Sequence, residues 1–211
     1  MSLVLAADYE VPDFGRWSDL LTGRLPRLPS LGARHLVIFR SIENERRVFT
    51  TIGARTRGPV DAVLRSPDMF NFFNAAGVEE IPPLFVGQVV EQLDLKQEAE
   101  ASKVDAESPV VIAGIVSLGS LDQMLAAVHA DAGQMAAAGV RRYWTYRALD
   151  DANEAMILQE IATRQQAARW LQHPDPAAAW MSQAGVGCYP PLFVGRLLQA
   201  ITVPTQEITG P

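Results

Sequence analysis

The chain has 211 residues, 48% apolar and 20% charged, the balance of an ordinary globular protein. Its net charge of −6, with basic residues scattered and not interleaved with aromatics, argues against a nucleic-acid partner, because phosphate contacts need clustered Lys and Arg. No apolar run reaches the roughly 20 residues of a membrane span, the start MSLVLAADYE lacks the basic n-region and length of a secretion signal, and a single cysteine, Cys188, excludes a disulfide framework or a cysteine metal cluster.

In chain order, Leu3 to Val11 is an apolar, β-rich run and predicts a strand. Phe14 to Leu25 places Phe14, Trp17, Leu20, Leu21 and Leu25 at helical spacing, and Pro26 and Pro29 stop it. Arg34 to Ile42 and Arg47 to Ala54 predict two strands split by the polar turn Glu43-Asn44-Glu45. Pro59 to Arg65 predicts a helix, and Pro67 opens a second helical piece through Ala76. Leu84 to Leu95 is the last strand of this half. The order then recurs. Val110 to Val116 predicts a strand, and Ser120 to Ala138 a single helix with Ser120 as N-cap. Arg142 to Leu149 and Glu154 to Ile161 predict strands, Gln165 to Gln172 and Pro176 to Gln183 helical pieces, and Leu192 to Val203 a final strand.

The recurrence is written in the residues. Pro-Pro-Leu-Phe-Val-Gly occurs at residues 82–87 and again at 190–195, the mark of two copies of one unit. A shift of 107 also pairs Gly32 with Gly139, Arg34 with Arg141, Arg40 with Arg147, and Pro67 with Pro174, and a shift of 108 pairs Gly77-Val78 with Gly185-Val186. Residues 1–97 and 108–204 are therefore expected to be duplicates, with 98–107 as a polar linker and 205–211 as a tail. Each copy reads β-α-β-β-α-β, the ferredoxin-like unit, whose sheet is covered by helices on one face only. The bare faces need a partner. The expected fold is α+β, two tandem ferredoxin-like repeats packed sheet to sheet as an intramolecular α+β barrel.

This order of elements resembles the dimeric α+β barrel superfamily, and within it antibiotic biosynthesis monooxygenase-like domains. The helix segments Thr56–Pro67 and Thr163–Pro174 are similar to that family's helix ending in Leu-x-Ser-Pro. The resemblance implies binding of a small apolar or aromatic molecule and cofactor-independent oxygenation. The family's members often carry a histidine four residues before that proline, where this chain has Val63 and Trp170. The Asn/Trp/His grouping on which oxygenation and haem degradation rest in the superfamily is not assembled in either copy. A haem protein of the chlorite dismutase kind would want a histidine on a copy-two helix, and His173, pinned before Pro174, is poorly placed.

Candidate residues follow. In the strand Arg141-Arg142-Tyr143-Trp144-Thr145-Tyr146-Arg147, alternation puts Trp144 and Tyr146 on one face and Tyr143, Thr145 and Arg147 on the other. Trp144 and Tyr146 are expected to line a ligand pocket between the sheet and helices of copy two, with Tyr143, Arg147 and Gln159 as further ligand-binding candidates; the alternative is core packing. Arg40 and Arg147, at equivalent positions, suit an anion clamp or a structural ion pair. His35 and Asp8 are the candidate acid/base pair of copy one, against a structural histidine and a paired aspartate. His129 is expected to be solvated, and Cys188 to be a small buried apolar residue. Asp68-Met69-Phe70-Asn71-Phe72-Phe73 either caps a copy-one cavity or packs the core. No phosphate loop, metal-ligand spacing or hydrolase triad is evident, so no cofactor and no metal are expected. Two readings follow: a cofactor-independent monooxygenase-like enzyme, or a non-catalytic binding or interaction module with a degenerate site. Either is expected to be a cytoplasmic monomer or homodimer, with neither a nucleic-acid nor a membrane partner.

Overall fold

The computed structural model describes residues 3–29, 32–95, 109–172, 185 and 191–204. The expected linker 98–107, the helical piece Pro176–Gln183, His173, Cys188 and the tail 205–211 fall outside them. The elements are β1 (Leu3–Glu10), α1 (Phe14–Arg24), β2 (Ala33–Ser41), β3 (Arg47–Ala54), α2 (Arg57–Leu64), α3 (Pro67–Ala76) and β4 (Leu84–Asp94), then β5 (Val110–Ser117), α4 (Leu121–Ala130), α5 (Ala132–Ala137), β6 (Val140–Ala148), β7 (Glu154–Ile161), α6 (Arg164–Gln172) and β8 (Phe193–Thr202). A 3₁₀ turn at Leu25–Arg27, with Pro26 inside it, closes α1. The order is the expected one, with one correction. The predicted single helix over Ser120–Ala138 is two helices. At Asp131 the backbone steps to φ −96°, ψ 4°, a bridge conformation that a short polar side chain tolerates better than an aliphatic one.

The fold is α+β, two ferredoxin-like repeats in tandem. The strands hydrogen-bond in the order β1-β3-β2-β8-β5-β7-β6-β4. The chain separates into two compact units, Met1–Val86 with Leu198–Pro211, and Gly87–Leu197. Two strands are therefore divided. Leu84–Val86 stays with the first unit while Gly87–Asp94 pairs with β6. Phe193–Arg196 pairs with β5, and beyond Leu198 the chain is in the first unit, where the Val203 N–H donates to the Arg34 carbonyl at 2.8 Å.

The first unit buries one face of its sheet against α1, α2 and α3. Ala7, Tyr9 and Val11 from β1 and the residue after it, Leu36 and Ile38 from β2, and Val48 from β3 form a core with Trp17, Phe72, Phe73 and Ala76. Period-2 alternation then assigns Asp8, His35, Phe39, Phe49 and Gly53 to the opposite face. The same local devices recur in the second unit. Gly32 and Gly139, one shift apart, have φ +65° and +100°, and Gly77 and Gly185 have +73° and +71°. A register shift follows Ala33 in β2 and Val140, its equivalent, in β6.

Gly77 shows why such a position takes glycine. The N–H of Gly77 donates to Asn74 O and that of Val78 to Phe73 O, both at 3.0 Å, a Schellman cap that needs a left-handed residue. A Cβ there would also stand 3.0 Å from Pro12 Cγ. Gly77→Ala is expected to lower unfolding stability by about 1–2 kcal/mol. Gly23→Ala, in α1 where a Cβ meets nothing within 4 Å, is expected to raise it by about 0.5–1 kcal/mol. Urea unfolding of the two variants checks the contrast; equal effects would contradict the assignment of Gly77.

Candidate functional site

Between the sheet of the first unit and its helices lies a cavity of about 410 Å³. Its floor is strand: Leu5, Ala7 and Tyr9 from β1, Leu36 from β2, Thr50 and Ile52 from β3, and Leu84 from β4. Its walls are helix: Leu21 from α1, Leu28 just after it, Ala62 and Val63 from α2, and Met69, Phe72 and Phe73 from α3. Ser66 caps α3 by accepting from the Asp68 N–H at 3.0 Å and also lines the space. The lining is mainly apolar, with a few converging polar groups, the usual character of a small-molecule pocket.

Two polar features stand out. The first is deep. Trp17 Nε1 donates to the Tyr9 hydroxyl at 3.1 Å, and both side chains are buried. Tyr9 also packs edge-on to Phe73, centroids 5.2 Å apart. Burial pushes the Tyr9 phenol up to about 12, against smaller lowering by its bonds to Trp17 and Thr50, so it stays protonated and can orient an oxygen. The second is at the α1–α3 side. Arg24 donates to the Asp68 carbonyl at 2.8 Å and lies 5.1 Å from the Phe72 ring centre. Arg27 is 3.3 Å from the Asp68 carboxylate.

The expected site residues are placed as follows. Asp8 and His35 lie on the sheet face away from the cavity, and they do not pair. In register Asp8 is opposite Phe49 and His35 opposite Gly53, on strands either side of β3. Asp8 instead accepts from Arg47 Nε at 2.8 Å and also bonds its Nη2. The His35 ring sits over Gly53, so that a Cβ there would be 2.2 Å from it. Its equivalents in the second unit, Arg142 and Glu160, form an ion pair at 3.6 Å. Arg40 bonds the Glu45 carbonyl and carboxylate within its own hairpin and lies over Phe14, 4.5 Å from the ring centre.

In the second unit the face assignment of the aromatic strand needs correcting. Gln159 accepts from Trp170 Nε1 of α6 at 3.1 Å, so Gln159 faces the helices. Tyr143 is opposite Gln159 in register and shares that face with Thr145 and Arg147. Trp144 and Tyr146 point the other way, with Arg142 stacked 5.8 Å from the Trp144 ring centre; they do not lie between sheet and helices. The expectation failed because Tyr-Trp-Thr-Tyr is bulky on both faces, so alternation separates the faces without saying which one meets the helices. Burial raises the Tyr146 phenol to about 12. Burial raises Tyr143 more strongly, offset in part by the neighbouring Thr145 hydroxyl, although neither of these two buried hydroxyls makes a hydrogen bond of standard geometry with a described residue. Arg147 is exposed. His129 is largely exposed and 2.9 Å from Glu91.

Sequence reasoning missed Tyr9, Trp17, Arg24 and Thr50 as site residues. Arg24 and Asp68 are 44 positions apart, and no local pattern links them. The α3 run from Asp68 was read as a possible cap, and Asp68, Met69, Phe72 and Phe73 do line the cavity, while Phe70 is exposed.

The chain is similar over its whole length to an anthrone oxidase-like protein, TM-score 0.68 at 11% identity, covering 97% of that chain. The shared feature is the α+β fold. The chain is also similar to a proposed monooxygenase from Lactobacillus acidophilus, TM-score 0.58 at 10% identity, covering 95% of this chain and 96% of that one. A haem-binding protein from Thermus thermophilus matches with TM-score 0.53 at 16% identity, covering 94% and 93%. At these identities the likeness is one of fold. No family model and no curated protein matches the sequence. No helix among the described residues is long and apolar enough to cross a membrane.

The donor set of the first-unit cavity does not fit a haem iron. Neither described histidine lines it, and burial keeps the Tyr9 phenol protonated, whereas an iron ligand would be a phenolate.

His35 gives a pH test. Burial first, and the Arg34 charge second, lower its pKa from the ordinary 6.5. The unfolded chain then takes up this proton at higher pH than the folded one, so His35 subtracts stability as pH falls below 6.5. The imidazole signals of His35 are expected to titrate below the normal range by NMR, and His35→Gln is expected to flatten the loss of stability between pH 7 and 5. A His35 titrating at or above the free value would contradict the assignment.

Proposed function

We propose that the chain binds a small, flat, largely apolar molecule in the first-unit cavity, with the Tyr9 and Thr50 hydroxyls orienting an oxygen of the guest. One observation carries this reading. At three equivalent helix-facing positions the first repeat has Leu36, Ile52 and Val63, which line the cavity, and the second has Tyr143, Gln159 and Trp170, the last two bonded to each other. Short aliphatic groups leave room that larger side chains would occupy.

The polar groups favour binding over chemistry. Tyr9 keeps its proton, and the Asp68 carboxylate is paired with Arg27, so neither is poised as a general base. The second reading, cofactor-independent oxygenation, has support from the likeness in fold to the anthrone oxidase-like protein and the proposed monooxygenase. Oxygen uptake with anthrone as substrate is its measure.

Val63→Trp transfers the second repeat's residue to the cavity wall. Binding of 2-naphthol by calorimetry is expected to weaken at least tenfold in this variant, with the melting temperature changed by only a few degrees because Val63 is half-buried on α2. Unchanged binding in a folded Val63→Trp protein would place the guest elsewhere.

A further inference from the structure

We propose that the guest of this cavity is an acid, a flat apolar body whose carboxylate is held by Arg24. The proposal deepens the binding reading and rests on it. Three charged side chains line the cavity, Arg24, Arg27 and Asp68. Their formal charges sum to +1 beside an apolar lining. Asp68 answers Arg27, and Arg24 has no carboxylate partner among the described residues.

Arg24 is held in place without being neutralised. One amino group bonds the Asp68 main-chain carbonyl, and the guanidinium plane rests near Phe72. Its carbonyl bond leaves other N–H groups of the fork for a second acceptor, and a planar carboxylate matches that fork in two parallel bonds. A guanidinium bordering a poorly hydrated space gains more from an anion than one in open water. The Phe72 ring, a cavity wall as well as the support of Arg24, gives a flat guest a surface to stack on. Tyr9 and Thr50 lie on the strand floor, available to a second oxygen at the far end of the guest. The position is also specific to the first repeat: its equivalent in the second is Asp131, of opposite charge.

The test uses two isosteres, 2-naphthoate and neutral 2-naphthamide, titrated into the full chain at pH 7.5 and low salt. Naphthoate is expected to bind at least tenfold tighter, with an advantage that shrinks as salt is raised. Arg24→Gln is expected to erase that advantage by weakening naphthoate at least tenfold more than naphthamide, which separates a lost charge contact from a damaged cavity. Arg24→Lys is expected to restore only part of it, because the fork is lost. Asp68→Asn, which keeps the main-chain carbonyl on Arg24, is expected to tighten naphthoate several-fold. Equal binding of the two compounds, both weakened by Val63→Trp, would overturn the acid and leave the cavity reading standing. Binding of neither compound, or binding indifferent to Val63→Trp, would overturn both.

Discussion

Everything about the site depends on which side chains a strand turns toward its helices. Successive residues of a strand face opposite ways, so one position in two decides whether the space beneath a helix is filled or open. In the first unit those positions on β2 and β3 carry Leu36, Thr50 and Ile52. In the second they carry Tyr143, Ile157 and Gln159, and Tyr143 is fully buried. The backbone devices are the same in both, down to paired left-handed glycines and matched register shifts. The repeats thus share a scaffold and differ in how they occupy one layer of it.

That difference has an energetic side. A cavity lined by Leu5, Leu36, Ile52, Val63 and Phe72 forgoes the dispersion contacts a packed core would have, at tens of calories per mole for each Å³ left unfilled. The first unit offsets this with a dense aromatic group beside the cavity. Tyr9, Trp17, Phe72 and Phe73 meet edge to face, and the Trp17–Tyr9 bond satisfies both buried polar atoms. The second unit carries larger side chains at the equivalent positions, and among the described residues the Tyr143 and Thr145 hydroxyls there have no hydrogen-bond partner of standard geometry.

Much of the fold was legible in the sequence, because it was written twice. The repeated Pro-Pro-Leu-Phe-Val-Gly motif and the recurring βαββαβ order lead to the observed elements, with β3, α3 and β7 matching residue for residue. The break at Asp131 was only weakly legible, since apart from Asp131 and Gly133 the run from Leu121 to Ala137 is dominated by helix-forming residues, and the local backbone departs there. The site was far less legible. The contrast between Leu36 and Tyr143 and between Ile52 and Gln159 is visible in the sequence, with the larger and more polar set in the second repeat. Large rings with polar tips attract attention as ligand contacts, yet inside a packed layer they take up the volume a ligand would need. Arg24, Tyr9 and Asp68 come from three separate elements, and their convergence is a property of the folded chain alone.

The central claim is that the first unit, not the second, holds the guest between sheet and helices. Methyl-labelled NMR during titration with 2-naphthoate addresses it most directly. The account expects shifts, and ligand-to-protein Overhauser contacts, at the methyls of Leu36, Ile52, Val63 and Met69, which line the cavity, with the methyls of Ile157 and Met124 undisturbed. Contacts concentrated at Ile157 and Met124, with Ile52 and Met69 silent, would contradict it.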